Sequence, residues 1–206
     1  MPIDPQVIDR KVTQRPAGSP SATQGDITTM DRTTSTAEQV TELLKSEHRR
    51  IEEMLANVID TSGAARDSSF TALGRFLAAH EAAEETFIHC LEDVPVAKER
   101  VHEEEKAGQL IARLEAMDKA TEEFEDAFAE FATSVKTHAE AEEHRELPEL
   151  TKDASPEELG RMYEALQRVP EFAGQQGSPI AEGADFASML VAAKAEFAAL
   201  SRQGDV

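Results

Sequence analysis

Tryptophan is absent from the chain, and tyrosine and cysteine occur once each. A single cysteine, Cys90, cannot build an internal disulfide framework and fits a reducing compartment. No apolar run approaches the ~20 residues of a membrane helix, and the N-terminus lacks the basic region and apolar stretch of a signal peptide. A cytoplasmic setting is therefore expected. Basic side chains are also scarce: 21 Lys and Arg stand against 41 Asp and Glu, a formal charge of −20. Such a surface repels phosphate backbones and anionic lipid, so neither nucleic acid nor a membrane is expected as a partner. The first 36 residues hold four Asp against four Lys or Arg, which leaves the whole acidic excess to the rest of the chain. A Gly-rich phosphate loop, a CxxC zinc pattern, a GxSxG nucleophile and a basic stripe interleaved with aromatics are missing as well. Long β-branched runs are absent, while Ala and Glu dominate. That balance favours an all-α chain, and 206 residues suffice for one domain with appendages.

What the chain does have is polar chemistry on apolar seams. Phe70, Leu73, Leu77, His80, Glu84, Phe87 and Leu91 follow one another at steps of three and four, the spacing of one buried helical face. Phe124, Phe128, Phe131, Val135, His138 and Glu142 repeat the pattern. In each an HxxxE pair takes positions where leucines would be ordinary. Residues four apart on a helix have Cβ atoms roughly 5–6 Å apart, so each imidazole and carboxylate can converge on one small object. An ionised carboxylate buried alone is too costly, and a metal ion satisfies both groups at once.

Taken in order, residues 1–34 are rich in Pro, Gly, Ser and Thr and read as a disordered tail. A capping-box signal at Ser35 or Thr36 opens a first helix running to about Ile59, with Val40, Leu44, His48, Ile51, Leu55 and Val58 on its seam. The second helix is expected to be capped near Asp67 to Ser69. A turn around Pro95 leads to a third helix over about 97–117, whose face is Leu110, Leu114 and Met117; His102 sits at the edge of that stripe. The fourth helix starts near Thr121 and is expected to stop before Pro148. Ser155, Pro156 and Glu158 start a short helix, and Asp185 a last amphipathic one carrying Phe186, Leu190, Ala193, Phe197 and Leu200. These two are expected to pack on the bundle or on a second subunit. The domains are thus 1–34, 35–150 and 151–206. His89 and His144 fall off the seams and read as surface residues, and Cys90 and Tyr163 as packing residues.

HEAAEE at 80–85 and HAEAEE at 138–143 form an internal repeat, each preceded by a helix with its own histidine, His48 and His102. Two such hairpins facing one another bring six donors into one antiparallel, up-down four-helix bundle. A lone inward histidine is more often a hydrogen-bonded core residue than a ligand. Two HxxxE pairs in register with inward histidines argue for a cation.

The order H, HxxxE, H, HxxxE on consecutive helices resembles the hemerythrin-like family of HHE cation-binding proteins, over about residues 37–150. The resemblance implies that His48, His80, His102 and His138 supply terminal imidazoles, and that Glu84 and Glu142 bridge two non-haem iron ions with an oxo or hydroxo group. Glu81 matches an extra acidic position of some iron-sensing members. The chain departs from the oxygen carriers at Lys106, where they place a further histidine, which argues against simple O₂ carriage. Three readings stay open: a di-iron protein reacting with O₂ or peroxide, including catalase-like removal of hydrogen peroxide; a module sensing iron, O₂ or NO without turnover; and a metal-free acidic helical scaffold. Monomer and homodimer are both compatible with the sequence.

Overall fold

The computed structural model describes residues 24–87, 106–174 and 183–203, with side chains from residue 36 onward. Among these residues every regular element is helical: α1 (Gln24–Asp60), α2 (Gly63–Phe87), α3 (106–115), α4 (Glu122–Ala141), a π-helical turn (Glu142–Glu146), α5 (Leu147–Asp153), α6 (Pro156–Gly174) and α7 (Phe186–Gln203). The chain is an all-α helical bundle.

The seams read from the sequence point inward. Val40, Leu44, Ile51, Leu55 and Val58 of α1 are buried, as are Phe70, Leu73, Leu77 and Phe87 of α2 and Phe124, Phe128 and Phe131 of α4. Aromatic rings knit α2 to α4 at one end, Phe70 meeting Phe124 edge-on at 5.8 Å between centroids. α2 is the central element. Ala78, Ala79, Ala82 and Ala83 are also buried, because α1, α6 and α7 all pack against it. The C-terminal helices therefore close over the bundle itself. Gly74 serves that approach, since a Cβ there would stand 3.3 Å from Cε of Met189 on α7.

Local rules account for several boundaries. Thr121 caps α4 by accepting from the Phe124 backbone N–H at 3.2 Å. Ser155 and Glu158 make a reciprocal capping box at α6: the Ser155 N–H donates to Glu158 at 2.7 Å and the Glu158 N–H to the Ser155 hydroxyl at 3.3 Å. Asp185 accepts from the Ser188 N–H at 2.8 Å to open α7.

Two boundaries differ from expectation. α1 begins at Gln24, not at Ser35 or Thr36, so residues 24–34 are helix and not tail. Between Gly25 and Gly63 there is neither Gly nor Pro to interrupt it, and extending a nucleated helix costs little per residue. α2 begins at Gly63, whose φ of 56° turns the chain directly after α1. Its expected caps lie inside the helix, where Ser68 bonds back to the Ala64 carbonyl at 2.9 Å. α4 ends at Ala141, before Pro148, but the helical course does not stop there. The chain first widens into the π-turn, in which the Leu147 N–H reaches the Glu142 carbonyl, and then places Pro148 in the first turn of α5, where a missing N–H is harmless. The expected tail over 1–23, the turn at Pro95, the start of the third helix, His89, Cys90, Leu91 and His102 lie outside the described residues.

Candidate metal centre

α1, α2 and α4 bring the seam histidines and glutamates together. His80 and Glu84 occupy successive turns of α2, with Nε2 of His80 3.3 Å from Glu84. His138 and Glu142 do the same at the end of α4, at 3.2 Å. From α1, Nε2 of His48 lies 3.2 Å from Glu142 and 3.8 Å from Glu84. The His48 and His80 rings meet at 81° with centroids 5.2 Å apart, so two imidazoles approach the same carboxylate from perpendicular planes.

Two donor groups result. His48, His80, Glu84 and Glu142 each offer an atom within 4.8 Å of the others, all four side chains being buried. Glu81, Glu84 and His138 form the second group, by the same measure. Ligands around one ion at 2.0–2.2 Å stand at most about 4 Å apart, so a small contraction completes either set. Glu84 belongs to both groups, and Glu142 spans them: its Oε2 faces His48 and its Oε1 faces His138. A cavity of about 10 Å³ bordered by His48, His80, Glu81 and His138 lies among them, room for about one water-sized body. Ile51, Leu77, Val135 and Ala139 add apolar wall, and the exposed Glu52 and Lys136 border its outer side.

The electrostatics also fit a cation. Glu47, Glu84, Glu142 and Glu146 are buried, as are His48 and His80. Burial alone would lower the His48 imidazole, but hydrogen bonding and charge from Glu142 and Glu84 outweigh it and raise it to about 11. Burial likewise opposes, and the carboxylates of Glu142, Glu81 and Glu84 reverse, the shift of His138, which rises to about 10. Burial first, then the charge of Glu84, holds the Glu47 carboxyl well above the ordinary carboxylate range, against the pull of His48. Carboxylates thus set the sign of the site, and a cation or bound protons would balance their charge.

The expected donors His48, His80, Glu84, His138 and Glu142 are brought together, and Glu81 with them; the fourth imidazole, His102, falls outside the described residues. Position 106, which departs from the oxygen carriers, is an exposed lysine. His144 is exposed and donates to the Glu140 carbonyl at 2.8 Å, and Tyr163 packs against the core. Two neighbours of the site were not read from the sequence. Glu47 accepts from Nδ1 of His80 at 2.8 Å, and Glu143 from Nδ1 of His48 at 2.9 Å. The signal for Glu47 is present: Leu44, Glu47 and Ile51 also step by three and four, which puts Glu47 on the flank of the same buried face, and α6 packs against α1 as well. Glu143 is turned inward beside Glu142 by the π-turn, which no local pattern announces.

No curated protein and no solved structure gives a significant match to the chain. The family model of the hemerythrin HHE cation-binding domain matches residues 39–150, a span that opens one turn before Leu43 and Leu44 and closes within α5. It contains every donor named above and covers more than half of the sequence; the chain belongs to the hemerythrin HHE cation-binding family.

Proposed function

We propose that the protein is a hemerythrin-like non-haem di-iron protein that reacts with O₂ or hydrogen peroxide, with catalase-like removal of peroxide as the activity to test first. The observation that carries this reading is the pair of shared carboxylates. Glu84 is common to both donor groups, and the two oxygens of Glu142 face different histidines. In this reading His48 and His80 would hold one ion and His138 and Glu81 the other, Glu84 and Glu142 would be shared by both, and His102 would be a further donor. If bound, a pair of irons would supply a two-electron redox couple for O₂ or peroxide. Imidazole and carboxylate donors suit iron in its common oxidation states. The chain's own part is to present neutral Nε2 atoms, to carry the balancing negative charge, and to line part of the cavity with the apolar Ile51, Leu77 and Val135. The proposed setting is the cytoplasm, where the lone Cys90 stays reduced.

A second reading, a sensor of iron, O₂ or NO, draws on the packing of α6 and α7 against α2, the helix that carries His80, Glu81 and Glu84. Loading of the centre would stiffen α2, and those helices would report it to a partner. Iron analysis on protein from iron-supplemented cells, with optical spectra and oxygen evolution after peroxide addition, separates the readings. About two irons per chain with rapid oxygen release favours the enzyme. The same iron content with metal-dependent melting and negligible turnover favours the sensor. Folded protein that takes up no iron sinks both.

A further inference from the structure

Two carboxylates lie just outside the donor groups, and their arrangement is crossed. Glu47 precedes His48 on α1 yet bonds Nδ1 of His80 on α2, at 2.8 Å. Glu143 follows Glu142 yet bonds Nδ1 of His48 on α1, at 2.9 Å. In both rings the other nitrogen, Nε2, is the one that faces the donor carboxylates, at 3.3 Å for His80 and Glu84 and 3.2 Å for His48 and Glu142. Each ring is therefore held by an acidic side chain on one edge and offered to the site on the other.

Packing does not explain Glu47. It is only 4% exposed, and its Oε1 is buried with no hydrogen-bond partner. Burying a carboxyl with one oxygen idle is unfavourable, so the contact that accounts for its presence is the one to His80. A carboxylate that takes the Nδ1–H of an imidazole fixes the tautomer with Nε2 unprotonated, fixes the ring plane, and increases the donor strength of Nε2. The perpendicular setting of the His48 and His80 rings, 81° apart, is what two such clamps on different helices would hold.

We propose that Glu47 and Glu143 are positioning residues of the metal centre, Glu47 acting through His80 and Glu143 through His48. The inference rests on the metal-centre reading above. It adds that the ligand on each helix is oriented from the neighbouring helix, α1 serving α2 and the π-turn serving α1, so that the centre forms only when the three segments are in register.

The test uses the full chain with Zn(II) as a diamagnetic probe, and Glu47→Ala, Glu47→Gln, Glu143→Ala and Glu143→Gln variants. Zn(II) affinity, histidine tautomers by ¹⁵N NMR and metal-free melting are measured on each. The alanine variants are expected to lose about 10- to 100-fold in Zn(II) affinity. Loss of the fixed Nδ1–H form should be confined to His80 in Glu47→Ala and to His48 in Glu143→Ala. Glutamine keeps an acceptor for Nδ1–H, so both Gln variants should retain the tautomer and recover part of the affinity. Because Glu143 is 24% exposed, its replacement leaves the core intact even where Glu47→Ala does not fold. Wild-type affinity in the Ala variants overturns the proposal, as does disturbance of His48, the chain neighbour, in a Glu47 variant. Wild-type protein that binds no Zn(II) overturns the metal-centre reading itself.

Discussion

Two clusters of buried charge sit on α2, about 20 Å apart along the helix, and they solve opposite problems. At one end the Arg66 guanidinium, 7% exposed, donates to the Thr61 carbonyl at 2.7 Å, the Lys119 carbonyl at 2.7 Å and Glu125 at 2.9 Å. These contacts tie the turn between α1 and α2 to the turn between α3 and α4. At the other end His80 and Glu84 lie among further imidazoles and carboxylates around a water-sized cavity. The first cluster has a cation matched by fixed acceptors, which makes it a structural rivet. The second has carboxylates in surplus, which raise His48 and His138 and make it a candidate site for a cation. Burial alone does not distinguish the two; the balance of donors to acceptors does.

The strongest way to break that contrast is Glu84→Gln, which removes the charge shared by both donor groups while keeping the shape. Iron per chain should fall at least tenfold, measured by metal analysis, while the metal-free protein melts no lower than wild type because one buried carboxylate is gone. Arg66→Met should do the reverse. Stripping the cation from its carbonyls costs about 3 kcal/mol, a drop in melting midpoint of roughly 10 °C, with iron per folded chain unchanged. Loss of iron at full stability in Arg66→Met would erase the distinction between rivet and site.

The pH response should separate the two ends next. His48 and His138 are raised from 6.5 to about 11 and about 10, so the folded chain holds protons that the unfolded chain releases. Their stabilisation is fully present below about pH 6.5 and is lost as pH rises through about 10 to 11. Metal-free protein should therefore melt progressively lower over that window, by roughly 5 °C or more, as calorimetry would record. A bound cation takes the place of those protons. Metal-loaded protein should show the decline abolished or reversed, and loading near pH 7 should release protons measurable with an indicator dye. A metal-free melting curve flat across the window would remove the electrostatic case for the site.

Much of this contrast was legible in the sequence, and what was not has physical causes. Seam periodicity placed His48, His80, Glu84, His138 and Glu142 inward because each helix has one dominant apolar face. It passes over Glu47 because that residue flanks the seam on a buried face broadened by further packing, α6 included, which arrives more than a hundred residues later in the chain. Arg66 was invisible for the same reason: its acceptors include the Lys119 carbonyl and Glu125, brought near only by the fold. Pro148 reads as a stop because the pattern rules assume α-helical spacing, whereas the π-turn over Glu142–Glu146 comes before it, Pro148 falls in the first turn of α5, and Glu143 bonds His48. Caps fared better where the capping residue met no competitor, as at Thr121 and Ser155, and worse at Ser35 and Asp67, where the helix simply ran through.

Thr121 supplies the smallest and most selective of these tests. Its hydroxyl accepts from the Phe124 N–H at 3.2 Å and donates to the Asp118 carbonyl at 2.8 Å, so Thr121→Ala frees a backbone donor in the first turn of α4. The cost of losing such a cap is about 1 kcal/mol, or roughly 3 °C in melting midpoint for a chain of this size. Glu122, Glu123 and Glu125 still face the positive end of the helix, which keeps the loss from growing. The cap lies at the Arg66 end, while His138 and Glu142 lie four turns or more along the same helix. Iron content and proton release should therefore match wild type within error. If so small a lesion at the rivet end lowered iron affinity, α4 would be transmitting register from one end to the other, and the two clusters would have to be treated as one coupled system.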